Sequence, residues 1–209
     1  MTQRANSGKT NAKRGKGYYP PNPNQWTAEK HGLALREELS SALSDPLDHV
    51  AALAVLPNVS VNPHGAIPAA HVFIEHFRRE GSVSWSGLVV TLDDGHELVF
   101  YNDAHPPTRV RATLMEEFFH IRLAHPRSAI RLIDGDGPAR TFNARVEDEA
   151  YQSGAAALVP YWGLKRMVDA GESAFHIARH FRVSQDLVLF RSKVTRCYQS
   201  LQRSSRRQV

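Results

Sequence analysis

Cysteine is almost absent from this 209-residue chain, in which Cys197 stands alone. A single thiol excludes an internal disulfide and a thiolate metal cluster, and it is typical of proteins that work in a reducing compartment. The chain also lacks the roughly 18 consecutive apolar residues of a membrane-spanning helix and the apolar N-terminal segment of a signal peptide. We therefore expect a cytoplasmic protein that does not enter a membrane.

Acidic residues are missing from both ends of the chain, so the positive charge behind the net charge of +5 is concentrated at these ends. The first 20 residues carry five basic residues, and residues 191–209 carry six. Because these 11 positive charges exceed the net charge by six, the body between the ends has a net charge of −6. The basic ends could contact nucleic acid or an acidic partner, or they could serve solubility alone.

The pattern of apolar residues predicts one globular unit between two polar ends. Residues 1–26 are basic and rich in Gly, Asn and Pro, so we expect a disordered tail there and a second basic tail at residues 198–209. Between them, residues 27–197 alternate helical patterns with hairpin patterns, the clearest of which turns at Asp-Asp-Gly. This order predicts an α+β fold with helices around a small antiparallel sheet.

Residues with metal-ligand chemistry are spaced along the segment RVRATLMEEFFHIRLAH, Arg109–His125. Helical periodicity over Thr108–Leu123 places Glu116 and His120, four residues apart, on one face. The zinc peptidase motif His-Glu-x-x-His uses this spacing for two ligands, and the glutamate after the first ligand is the general base. Here Glu116 stands where the first histidine is usual, and Glu117 follows it.

Together with a second motif, this segment resembles the ImmA/IrrE family of metallopeptidases over roughly Val99 to Arg196. The family's active-site helix reads approximately Arg-x-Arg-Phe-Thr-Leu-Ala-His-Glu-x-x-His, and the residues in register with it are Arg109, Arg111, Thr113, Leu114, Glu117 and His120. The second motif, Glu-Ala-Asn-x-Phe-Ala-x-x-Leu-x-x-Pro, matches Glu149, Ala150 and Pro160. Small residues at 154–157 would let this second helix approach the first closely.

The resemblance implies a zincin-like domain that hydrolyses a protein, usually a transcriptional repressor, and so acts in transcription regulation and stress response. It implies Glu116, His120 and Glu149 as metal ligands and Glu117 as the catalytic base. Because Glu116 puts a carboxylate where a neutral histidine is usual, a divalent ion there would keep less net charge and be a weaker Lewis acid. Zn²⁺ is the expected metal, and Mn²⁺ or Fe²⁺ would suit the oxygen-rich ligands nearly as well.

Several neighbouring residues leave alternatives open around this site. His125, five residues after His120, is expected to pack or hydrogen-bond near the helix end, although it could also serve as a ligand, as could His105 and His64 from loops. The two arginines that precede the ligands could pair with acidic residues of the body or hold the substrate.

The C-terminal third supports a competing hypothesis. Residues 161–197 read as a helix-turn-helix-like segment that turns at Val183-Ser184, and the basic tail follows it. A catalytically weak or inactive family member could use this segment to bind DNA or another protein. Against DNA binding, the second helix carries Asp186 and apolar residues where base-reading side chains would stand.

A strand edge is the expected place for a peptide substrate. In zincins an extended peptide commonly pairs with an edge strand above the metal helix, and the segment His96–Asn102, HELVFYN, is the predicted edge.

Overall fold

The computed structural model describes residues 16–66, 85–126, 130–133, 137–140 and 143–206. In these residues the chain forms eight α-helices: α1 Trp26–Glu38, α2 His49–Ala54, α3 Pro107–Arg122, α4 Ala144–Leu158, α5 Tyr161–Asp169, α6 Ala174–Phe181, α7 Gln185–Val194 and α8 Tyr198–Arg206. The strands are β1 Val59–Pro63, β2 Gly87–Thr91, β3 Glu97–Tyr101, β4 Ile130–Ile133 and β5 Gly137–Arg140. Among the residues described, every helix is too short or too polar to cross a bilayer.

The main sheet has three strands in the order β1-β3-β2. β2 and β3 form the predicted antiparallel hairpin, which turns at Gly95 with φ of +81°, a conformation that glycine adopts without steric cost. β1 lies on the other side of β3 in parallel, with Val61 opposite Val99. The predicted α+β class is confirmed, but the sheet is mixed rather than wholly antiparallel because of β1.

The position of β3 corrects the predicted substrate edge. β3 pairs on both sides, so the segment His96–Asn102 lies in the middle of the sheet and cannot accept another strand. In the described part of the chain β2 is the outer strand of the hairpin. Its residues Leu88 and Val90 are exposed, whereas Val89 packs against the core.

Two glycines bring three helices close together, with α4 between α1 and α3. A β-carbon built on Gly154 of α4 would lie 3.1 Å from the carbonyl carbon of Met115 in α3. A β-carbon on Gly32 of α1 would lie 2.7 Å from the amide nitrogen of Ala157 in α4. The small residues of α4 therefore allow the close approach to α3 that the sequence predicts.

Replacing Gly32 with alanine should destabilise the protein. Alanine favours a helix by about 1 kcal/mol over glycine, but its methyl group would meet backbone atoms that a side-chain rotation cannot move. We expect the free energy of unfolding, measured by urea denaturation, to fall by about 1–3 kcal/mol. Gly17→Ala is the control, because no atom lies within 4 Å of a β-carbon there. A Gly32→Ala protein as stable as the wild type would contradict this packing.

The segment assigned to the N-terminal tail, residues 1–26, contacts the domain through several of its described residues, 16–26. The ring of Tyr18 stacks on that of Trp162 with centroids 6.1 Å apart, and Asn22 Nδ2 donates to the carbonyl of Val194 at 2.9 Å. Trp26 Nε1 donates back to the carbonyl of Pro20 at 2.9 Å. These aromatic side chains supply the apolar surface that a purely polar tail lacks. Residues 1–15 lie outside the described residues.

The segment assigned to the C-terminal tail, residues 198–209, begins as helix α8. This helix buries Leu201, which is 1% exposed, against the core. Residues 207–209 lie outside the described residues.

A buried ion pair joins the two ends of the domain. Glu29 of α1 and Arg191 of α7 are 162 positions apart in the chain, and both are 0% exposed. Glu29 Oε2 accepts from Arg191 Nη2 at 2.5 Å, and Glu29 Oε1 accepts from the amide of Tyr161 at 2.6 Å. Arg191 Nε donates to the carbonyl of Val159 at 2.9 Å. The pair thus connects α1, the start of α5 and α7.

Candidate metal centre

Helix α3 carries the residues with site chemistry. It begins at Pro107, where proline's fixed φ suits a first helical position and the missing amide proton has no helical partner to lose. Its apolar side is anchored by Phe118 and Phe119, which are 0% and 2% exposed. Glu116 and His120, four residues apart, therefore lie on one partly exposed side of the helix.

Three ligand-type side chains converge between α3 and α4: Glu116, His120 and Glu147. One ligand atom from each lies within 4.8 Å of the other two, and His120 Nε2 is 3.4 Å from Glu147 Oε2. Glu147 lies near the start of α4, which Asn143 caps by accepting from the amide of Arg145. The close contact at Gly154, two turns further along α4, holds this helix against α3 at Met115 and Glu116.

This group fits a divalent cation. At metal–ligand distances of about 2.0–2.2 Å, two ligand atoms on one Zn²⁺ are at most about 4.4 Å apart, so small side-chain rotations bring all three into range. Imidazole and carboxylate are both ordinary ligands of Zn²⁺, Mn²⁺ and Fe²⁺. Three protein ligands also leave a coordination position open, which distinguishes catalytic zinc sites from structural ones.

Glu149, the third ligand expected from the family motif, lies outside this group. Its Oε2 atom is 3.7 Å from His125 Nε2, and its side chain is 40% exposed. Successive residues of an α-helix are about 100° apart, so Glu149 points about 200° around α4 from Glu147. Sequence reasoning missed Glu147, and the only signal for it was the run of acids Glu147-Asp148-Glu149.

The alternative histidine ligands are placed differently from one another. His125 lies beside the group: its Nδ1 is 3.2 Å from Nδ1 of His120. His64 and His105 do not join it, since His64 Nδ1 pairs with Asp103 at 2.6 Å and His105 Nε2 lies 3.3 Å from Asn102 Nδ2.

One more imidazole lies near Glu149 and His125 on the α1 side. Nδ1 of His31 is 3.0 Å from the hydroxyl of Ser153 in α4, and its ring stacks on Phe119. Burial lowers the pKa of His31, although the Glu149 carboxylate opposes this effect. The side of the centre facing α1 is thus lined by imidazoles and one carboxylate.

The two arginines that precede the ligands hold the scaffold. Arg111 is 6% exposed, donates from Nη2 to the carbonyl of Leu47, and has Nη1 3.2 Å from His49 Nδ1. Burial lowers the pKa of the Arg111 guanidinium. Arg109 Nη2 donates to the hydroxyl of Ser86 at 2.9 Å. These contacts fix the loops before α2 and β2.

The helix-turn-helix-like segment is largely part of the core. α6 and α7 are joined at Arg182, which has a left-handed backbone with φ of 57°. In α7, Val188 is 0% exposed, and Leu187 is buried with it. The exposed residues of α7 are Gln185, Asp186 and Lys193. A base-reading helix needs several polar side chains facing outward, and α7 offers few.

Comparisons with known proteins agree with the two motifs. The family model Peptidase M78, described as the IrrE N-terminal-like domain, matches residues 73–193, more than half of the chain. No curated protein and no solved structure matches the chain. The family match includes the β2–β3 hairpin, α3 with Glu116 and His120, and α4 with Glu147. The chain is therefore a metallopeptidase-like member of the ImmA/IrrE family.

Proposed function

We propose that this protein is a metal-dependent endopeptidase that cleaves a regulatory protein, such as a transcriptional repressor. The observation that carries the proposal is the convergence of Glu116 and His120 of α3 with Glu147 of α4. The expected base, Glu117, follows Glu116 in α3. The family supports a protein substrate. A repressor is the target that the sequence resemblance implies.

Glu116, His120 and Glu147 would hold the cation, with Glu147 in the place that the family motif suggests for Glu149. A divalent ion supplies Lewis acidity toward water and the scissile carbonyl. Two carboxylates offset most of its charge, so this chemistry should be weaker than in a site with two histidines. The same donor set accommodates Mn²⁺ or Fe²⁺ as well as Zn²⁺.

Glu117 would act as the general base and return the proton to the leaving amine. Its carboxylate lies against β2, because a β-carbon built on Gly87 would be only 2.8 Å from Glu117 Oε1. Glycine at this position therefore leaves room for the carboxylate between helix and sheet. As the residue after Glu116 in the motif, Glu117 would accept a proton from water attacking at the centre.

An extended peptide would pair with β2. β2 contacts the carboxylate of Glu117 through Gly87. A peptide paired with this outer strand would therefore pass near the base. Leu88 and Val90 are 43% and 38% exposed, and they offer apolar surface on the outer face of this strand.

DNA binding through residues 161–197 is the competing function, and it has weaker support. The helix that would read bases contributes buried residues to the core, and its exposed residues include one acid. Salt-dependent binding of the full chain to random duplex DNA would favour this function, and its absence would contradict it.

Metal analysis tests the proposal. The purified protein should hold about one divalent ion per chain, and alanine at Glu116, His120 or Glu147 should remove it, because each supplies a donor atom. Alanine at Glu149 should leave the metal content near one, which separates Glu147 from Glu149 as the ligand. Metal loss in none of the first three variants would refute the site.

A further inference from the structure

At the edge of the metal centre, the imidazole rings of His120 and His125 face each other through their Nδ1 atoms. His120 and His125 have their Nδ1 atoms 3.2 Å apart, with ring planes 76° apart. Two ring nitrogens can share a hydrogen bond only when one donates and the other accepts. The arrangement of protons on these rings therefore decides which nitrogen of His120 is available to a cation.

The turn after α3 creates this pairing. Ala124 adopts φ of +51°, the His125 amide donates to the His120 carbonyl at 3.0 Å, and the Ala124 amide donates to the Ile121 carbonyl at 3.0 Å. These two bonds and the left-handed residue define a Schellman motif, which folds the chain back over the last helical turn. The His125 side chain consequently lies against His120 and is only 8% exposed, so water competes little for its Nδ1 atom.

The geometry favours one arrangement once a cation is bound. His120 Nε2 faces the Glu147 carboxylate inside the ligand group, so this nitrogen must supply the lone pair and the ring proton must sit on Nδ1. His125 Nδ1 must then accept, and the proton of His125 must sit on Nε2. That N–H faces Glu149 Oε2 at 3.7 Å, beyond a normal hydrogen bond but within range of electrostatic attraction.

The reverse arrangement has two unfavourable consequences. The Nε2 lone pair of His125 would face the Glu149 carboxylate, which is repulsive. His120 would carry its proton on Nε2 toward Glu147, where it occupies the position of the metal bond.

We propose that His125 and Glu149 are positioning residues that set the tautomer of His120 for metal binding. This inference rests on the proposed function. It gives the Glu149 carboxylate a role in orienting the histidines instead of a role as a metal ligand. Ligating histidines usually donate their second N–H to a carboxylate or carbonyl, which fixes the ring. Here a second histidine stands between His120 and the carboxylate.

Nitrogen-15 NMR of the imidazoles tests this directly. At about pH 8, where ordinary imidazole is mostly neutral, His125 should carry its proton on Nε2 in the Zn²⁺-loaded wild-type protein. Without Zn²⁺ this form should be less populated, because the Glu147 carboxylate then attracts a proton on His120 Nε2. Glu149→Ala should reduce the Nε2–H population, and Glu149→Gln should reduce it less because an oxygen acceptor remains. A Zn²⁺-loaded wild type whose His125 carries its proton on Nδ1 would overturn the inference.

Zn²⁺ affinity, measured by chelator competition, gives the second readout. His125→Leu should weaken binding by about tenfold or more, and His125→Asn, which keeps an acceptor near the Nδ1 position, should recover most of it. His125→Leu with wild-type affinity would overturn the inference, as would complete metal loss in Glu149→Ala, which would make Glu149 a ligand. If the wild type bound no Zn²⁺, the proposed function would fail; Zn²⁺ binding that is normal in the wild type and unchanged in His125→Leu would overturn this inference alone.

Discussion

Replacing Glu117 with glutamine should lower peptide hydrolysis by about 10²–10⁴-fold, the usual contribution of a positioned general base. Glutamine keeps the size and hydrogen-bonding capacity of glutamate beside Gly87 but cannot accept the proton of the attacking water at neutral pH. Since Glu117 is not in the ligand group, the metal content should stay at the wild-type value. Initial rates on a fluorescence-quenched peptide library and elemental analysis measure the two quantities.

Glu38→Gln is the matched control for this experiment. Glu38 pairs with Arg122 at the end of α3, with N–O separation of 2.6 Å, and both side chains are 38% exposed. Neither Glu38 nor Arg122 is in the ligand group or is the proposed base, so the loss of this exposed pair should leave the rate unchanged. A Glu117→Gln protein that is as active as the wild type would remove Glu117 from the reaction, and one that loses its metal would make Glu117 a ligand.

Breaking the buried Glu29–Arg191 pair should have the largest effect on stability. Arg191→Met leaves the Glu29 carboxylate buried without its cation, and we expect the free energy of unfolding to fall by about 3–5 kcal/mol. The double variant Glu29→Leu with Arg191→Met should be more stable than Arg191→Met alone, because no unpaired charge remains. Urea denaturation of the three proteins measures these differences.

The exposed pair Lys165–Asp169 provides the comparison. It has the same N–O separation of 2.5 Å, but its side chains are 46% and 57% exposed. Asp169→Asn should change the free energy of unfolding by less than about 1 kcal/mol, because water screens an exposed pair. Equal losses from Asp169→Asn and Arg191→Met would show that burial does not set the cost.

Local signals in the sequence predict the elements that carry the site. Period-3.6 patterning locates α3 to within a residue or two at each end, and the Asp-Asp-Gly turn locates the β2–β3 hairpin. The small residues of α4 predict its contact with α3, which Gly154 makes. Each of these features depends on residues close together in the chain.

The details that depend on distant contacts were harder to predict. β1 joins β3 from 38 positions away along the chain, and no local pattern indicates that a short extended piece will pair in parallel there. The choice between Glu147 and Glu149 depends on how α4 is rotated against α3, because both are acids of one turn. Arg111 matches the family pattern, but only the docking of the loop at Leu47 reveals its contact.

The link between α1 and α7 bears on how far the protein can be shortened. The family match begins at residue 73, so it omits Trp26–Glu38, although that helix supplies Glu29 and covers α4 through Gly32. A fragment cut to residues 73–193 would leave the buried guanidinium of Arg191 without its Glu29 partner. It would also expose to water the side of α4 that packs against α1. We therefore expect the smallest autonomous folding unit to extend further toward the N-terminus than the boundaries by which the family is recognised.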